Sequence, residues 1–117
     1  MFKKIAALFG GKPALVKGAG KLKEGQAKVV TFGDVLAGTA TQVMFSRVDG
    51  VLRAMNAICP HEGILMNDGP VAPGGHIVCP RHLYEFDIKT GREKGTHCKN
   101  VKIYKVREDG NDAEVWI

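Results

Sequence analysis

From Ala27 onward, apolar residues come in short runs, each closed by glycine, proline, asparagine or aspartate. Runs of this kind, rich in Val, Ile, Thr and aromatic side chains, predict strands and not helices. Ala27–Phe32 opens the series with Val29, Val30 and Thr31. Thr41–Val48 and Val51–Ala57 flank Asp49-Gly50, a pair that tolerates positive φ at both positions and so favours a two-residue hairpin turn. His76–Cys79 is a short strand. Leu83–Ile88 follows and runs into a turn at Lys89-Thr90-Gly91, which opens another hairpin. Val101–Val106 and Glu114–Ile117 flank a turn at Asp109-Gly110-Asn111. Asn67-Asp68-Gly69-Pro70 and Pro73-Gly74-Gly75 are turn clusters, and Pro70-Val71-Ala72-Pro73 is likewise read as a turn. Many short strands at this spacing predict an all-β fold, an antiparallel β-sandwich or small incomplete barrel.

The first two dozen residues follow another pattern. Phe2, Ile5 and Phe9 recur at roughly helical spacing with Lys3 and Lys4 between them, enough for two turns of amphipathic helix at most. Such a helix is marginal alone in water and needs a surface to lie on. Gly10 to Gly25, with few large apolar groups, reads as a flexible linker. The expected division is therefore a basic tail over residues 1–24 and one domain over 25–117.

Charge sharpens that division. The chain carries a formal +5. Residues 1–24 supply all of it, through Lys3, Lys4, Lys12, Lys17, Lys21 and Lys23 against Glu24, and the remainder is balanced. A neutral domain is not a nucleic-acid binder by composition. The tail is expected either to dock on its own domain or to contact an acidic partner or an anionic membrane surface. Ile5–Phe9 is too short for the apolar core of a signal peptide, and no transmembrane segment is predicted. Three cysteines leave no room for a disulfide framework, so a reducing, cytoplasmic location is expected.

The candidate chemistry lies in residues 59–82. Cys59-Pro60-His61 and Cys79-Pro80-Arg81-His82 each offer one thiolate and one imidazole from a single short loop. Structural zinc sites more often pair Cys with Cys and His with His. Mixed knuckles suit two metals, with both cysteines on one and both histidines on the other. A zinc-bound interaction module is the alternative of another class.

These residues resemble the signature of the Rieske [2Fe–2S] family, in which two histidines replace two cysteines on one iron. The likeness extends to Val48-Asp49-Gly50-Val51, to Tyr84-Glu85-Phe86-Asp87 and to Lys89-Thr90-Gly91, and spans about residues 27–117. It implies one [2Fe–2S] cluster in a two-loop subdomain. Cys59 and Cys79 would hold the inner iron, and His61 and His82 the outer one. It implies a soluble one-electron carrier between a reductase and an acceptor such as a ring-hydroxylating oxygenase, and not an enzyme itself. The small subunit of a larger oxidoreductase, of the nitrite reductase type, is the alternative within the family. High-potential relatives carry an extra disulfide, whose positions here are Ile64 and Arg81, and a serine and a tyrosine hydroxyl at the positions of Tyr84 and Phe86. With no such disulfide, no hydroxyl on Phe86 and a bulky Tyr84 in place of serine, the resemblance implies a low-potential centre.

Some residues depart from the family or stand outside its pattern. Leu83 sits where glycine is usual, and Gly95–Asn100 lacks the prolines of the family's third loop. Gly63 allows the first loop to bend tightly. His76 and His97 are expected to be exposed, Cys98 to be a small apolar filler, and Tyr104 and Trp116 to pack in the core.

Overall fold

The computed structural model describes residues 13–34, 36–60, 63–66, 69–72, 74–80 and 83–117. The amphipathic segment at Phe2–Phe9 lies outside them. Among the described residues eleven strands follow one another: β1 (Ala14–Val16), β2 (Gln26–Phe32), β3 (Thr41–Val48), β4 (Val51–Asn56), β5 (Ile58–Cys59), β6 (Ile64–Leu65), β7 (Gly69–Pro70), β8 (His76–Val78), β9 (Glu85–Asp87), β10 (Ile103–Asp109) and β11 (Asp112–Trp116). Seven form one antiparallel sheet in the order β1-β11-β10-β4-β3-β2-β7. The hairpins β5-β6 and β8-β9 form two small sheets of their own. The all-β antiparallel expectation holds, with a two-loop subdomain standing beside the main sheet.

The central strands have two buried faces. Val43 and Phe45 of β3, with Leu52 and Ala54 of β4, join one core cluster together with Val16, Tyr104, Ala113 and Val115. Met44, Val48 and Met55 face the other way, into a second cluster that includes Cys59, Met66, Cys79 and Phe86. Side chains alternate across a strand, so a strand covered on both faces must read as a continuous apolar run. Val43-Met44-Phe45 is that run, and all three are within 1% of fully buried. Asp49 and Gly50 have φ of 55° and 76°, and Val48 pairs with Val51, as the two-residue turn requires.

Two expectations are corrected. The linker predicted over Gly10–Gly25 is, from Ala14 on, part of the domain. Ala14–Val16 pairs with β11, and a single 3₁₀ turn follows at Ala19–Lys21. Gly20 there serves close packing and not flexibility: its N–H donates to the Asn111 carbonyl at 3.0 Å, and a Cβ would strike the Gly110 carbonyl. The Glu24 carboxylate accepts the N–H groups of Asp49 and Gly50 at 2.8 and 2.7 Å, tying this segment to the β3-β4 turn. The second correction concerns Gly69–Pro70, which is a short strand on β2 and not a turn. It sits at the sheet edge, where a proline's missing N–H costs no ladder bond.

Candidate metal centre

Each small hairpin carries one cysteine where its first strand runs out. In β5-β6, Cys59 pairs with Ile64. In β8-β9, Val78 pairs with Glu85 and Cys79 comes next, its N–H donating to the Tyr84 carbonyl at 2.8 Å. The two turns then close in the same way. The Cys59 carbonyl accepts the Gly63 N–H at 2.8 Å, and the Cys79 carbonyl accepts the Leu83 N–H at 3.0 Å. Both closing residues are left-handed, with φ of 68° and 59°. Pro60 and Pro80, directly after the cysteines, fix φ and bring no N–H of their own into the turn. His61 and His82 lie outside the described residues, but in sequence each falls inside one of these closed turns.

Cys59 and Cys79 are 1% and 2% exposed and belong to one core cluster. None of the three cysteines is in a disulfide. A buried thiolate in apolar surroundings is costly unless a cation neutralises it. Two such thiols, each followed in sequence by a histidine, are a donor set suited to a metal centre with mixed sulfur and nitrogen ligands. Cys98 packs against the same cluster. Burial raises its pKa, and the Glu93 carboxylate and the Cys79 sulfur add to the rise, so it stays a thiol at neutral pH.

Residues 92–98 form a third wall. Glu93, only 2% exposed, makes an antiparallel bridge to Phe86 of β9. Its carboxylate accepts the Gly95 N–H at 2.7 Å and the His97 N–H, and meets His97 Nδ1 at 3.0 Å. Burial alone raises its pKa, but the two amides and the imidazole outweigh that and hold it below the usual carboxylate value. The His97 ring stacks on Tyr84, with centroids 4.8 Å apart and planes 10° from parallel. Nothing in the sequence Gly91-Arg92-Glu93-Lys94 announced a buried anion. His97 is exposed, as expected, but its ring is held on two sides, by Glu93 and by Tyr84.

Two buried cysteines in matched turns on a β scaffold are a thiolate pair of the kind that iron–sulfur electron-transfer domains use. The family model for the Rieske [2Fe-2S] domain matches residues 12–105. The ferredoxin component of the naphthalene 1,2-dioxygenase system of Pseudomonas aeruginosa is 35% identical over 81 residues, covering 67% of this chain and 77% of that protein. The ferredoxin of carbazole 1,9a-dioxygenase from Nocardioides aromaticivorans IC177 superposes with a TM-score of 0.69 at 26% identity, over 90% of this chain and 97% of that one. A proposed NADH-dependent nitrite reductase small subunit from Mycobacterium tuberculosis shares the fold, with a TM-score of 0.69 at 21% identity over 88% and 94% of the two chains. The chain belongs to the Rieske [2Fe–2S] domain family. It is an electron-transfer protein with one [2Fe–2S] cluster, a component of an oxidoreductase system and not an enzyme by itself.

Proposed function

We propose that Cys59 and Cys79 hold the inner iron of the cluster, and that His61 and His82 hold the outer one. The observation that carries this is the matched pair of turns, each closed onto the carbonyl of a buried cysteine. Bound there, the cluster takes up and gives back one electron at a time. The protein's part is to keep the sulfur side dry and to turn the imidazole side toward a partner. The electron comes from a reductase and goes to a ring-hydroxylating oxygenase, in line with the systems to which the similar ferredoxins belong. The centre works at low potential, on the order of −150 mV, because Phe86 offers no hydroxyl to a ligand sulfur.

No helix among the described residues is long and apolar enough to cross a membrane. A cytoplasmic carrier is the reading that fits a reduced Cys98 and a partner reductase. With residues 14–24 built into the domain, the basic tail proper shrinks to the segment before β1, where Lys3, Lys4 and Lys12 would meet an acidic partner or an anionic membrane surface. Protein purified anaerobically should hold about two iron and two acid-labile sulfide per chain, and should give a rhombic EPR signal on reduction. Stoichiometric zinc without sulfide would end this reading. A loaded protein that fails to reduce any Rieske oxygenase, yet co-purifies with a larger reductase subunit, would move it to the small-subunit role.

A further inference from the structure

The wall formed by residues 92–98 has a built-in anchor, the buried Glu93 carboxylate. Glu93 reaches the second cysteine turn by a short run of contacts. Its carboxylate holds His97, the His97 ring lies on Tyr84, and the Tyr84 carbonyl accepts the Cys79 N–H. Glu93 also bridges Phe86, which packs in the same core cluster as Cys59 and Cys79. The loop is shaped around this arrangement. A Cβ on Gly95 would run into the His97 ring. Thr96, without a glycine's freedom, sits at φ 55°, a conformation that persists only where the surroundings impose it. Two amide donors and an imidazole converging on one buried carboxylate supply that imposition.

From this geometry we infer that Glu93 is a positioning residue for electron transfer. It clamps His97 over Tyr84 as a cover on the Cys79 turn, and it places a fixed negative charge behind the centre that lowers its reduction potential. The inference rests on the ligand assignment proposed above. Adding an electron next to a fixed anion costs electrostatic energy, and a buried anion acts through little water or salt.

The test uses the holoprotein and three variants, with midpoints read by voltammetry at low and high ionic strength. Glu93→Gln keeps the side-chain shape and removes the charge, so its midpoint should move to more positive values and stay there in high salt. Glu93→Asp, which restores the charge, should return most of the way to wild type. His97→Ala leaves the charge in place and should move the midpoint less than Glu93→Gln does, while its cluster is lost faster to a chelator. An intact Glu93→Gln cluster with the wild-type midpoint would overturn the inference. So would a shift that disappears in high salt.

Hydrogen–deuterium exchange on the wild-type protein covers the case in which Glu93→Gln fails to fold. The amides of Gly95 and His97 should be protected although both residues are exposed at the surface. Exchange at the free-peptide rate would overturn the clamp without any variant. Wild-type protein without iron would defeat the ligand assignment instead, and the exchange result would still report on the clamp.

Discussion

Gly63 and Leu83 hold equivalent places in the two cysteine turns. Each donates its N–H to the carbonyl of the cysteine four residues earlier, and each adopts left-handed backbone, at φ 68° and 59°. The glycine does so without steric cost. The leucine does so against a penalty of about 1–2 kcal/mol, with its side chain 70% exposed and so only thinly compensated by packing. The geometry of the second turn is therefore set by the turn itself, since the same closure forms whichever residue ends it.

Exchanging the two residue types should show this. Leu83→Gly should leave stability unchanged or slightly higher, because relief of the backbone penalty offsets the added freedom of the unfolded chain. Gly63→Ala should cost about 1 kcal/mol and no more, since a Cβ at that position meets nothing within 4 Å. Thermal melts of the iron-loaded proteins, with iron content as a control, read both effects. A large loss in Leu83→Gly would mean that the leucine side chain supports the site after all.

The segment before β2 separates two truncations. Removing residues 1–12 leaves β1, the Glu24 carboxylate and the acceptors of Arg47 in place. Removing residues 1–24 takes away the strand on β11, the buried Val16, the packing of Leu22 and the cap on the Asp49-Gly50 turn. The longer deletion should cost on the order of 4 kcal/mol, from two lost apolar side chains and two lost charge-assisted hydrogen bonds. Denaturant midpoints of the two truncations check it. Equal stability would restore the reading of residues 14–24 as a linker.

What could be read in the sequence was what had a repeating local cause. The β3-β4 hairpin was legible because Asp49-Gly50 demands one turn type and the flanking runs have one length. Of the candidate site, Cys59 and Cys79 were legible, each at the head of a short Cys/His run, Cys59-Pro60-His61 and Cys79-Pro80-Arg81-His82, and both fall in one core cluster. Strand β1 was not, because Ala14, Leu15 and Val16 are too few to show a period and are bordered by Gly11, Gly18 and Gly20. Those glycines resemble a linker, while Gly20 in fact lets two backbones meet. Glu93 was hidden for a similar reason: its partners are backbone amides, which sequence does not display.

Cys98 provides a control for the ligand assignment. It packs against the same core cluster as Cys79 but stands outside both closed turns, and burial raises its pKa. Cys98→Ala should therefore keep full iron and sulfide content, at a cost of about 1 kcal/mol for the lost packing. Ala substitutions at Cys59, His61, Cys79 or His82 should each abolish the visible absorption of the cluster. Loss of the cluster in Cys98→Ala, with Cys79→Ala retaining it, would exchange their roles.

The last prediction concerns acid stability and the pair Arg47–Glu108. Arg47 of β3 faces Glu108 of β10 with two bonds, Nη1 to Oε2 at 3.2 Å and Nη2 to Oε1 at 2.7 Å. Its remaining donors reach the carbonyls of Leu22, Gly20 and Gly50, so one guanidinium ties β10, the 3₁₀ turn and the β3-β4 turn together. The hydrogen bond from Arg47 lowers the Glu108 pKa against the opposing effect of burial. A carboxylate depressed in the folded state takes up its proton more readily once unfolded. Its stabilisation is thus fully present above the ordinary carboxylate value, about 4.3, and is lost as pH falls through the lower folded value. Because the Glu108 side chain is 36% exposed, solvent limits the contribution to about 1 kcal/mol or less. Glu108→Gln should therefore be less stable than wild type at neutral pH, and the gap should close below about pH 4. Arg47→Lys should cost more, about 2 kcal/mol, because an ammonium cannot replace the fork to Glu108 and also reach three carbonyls. Part of that loss should persist in acid, since the carbonyl contacts do not titrate. Parallel urea titrations of the three proteins across this pH range measure both differences, and a wild-type to Glu108→Gln gap that does not change with pH would show that the ion pair contributes nothing to folding.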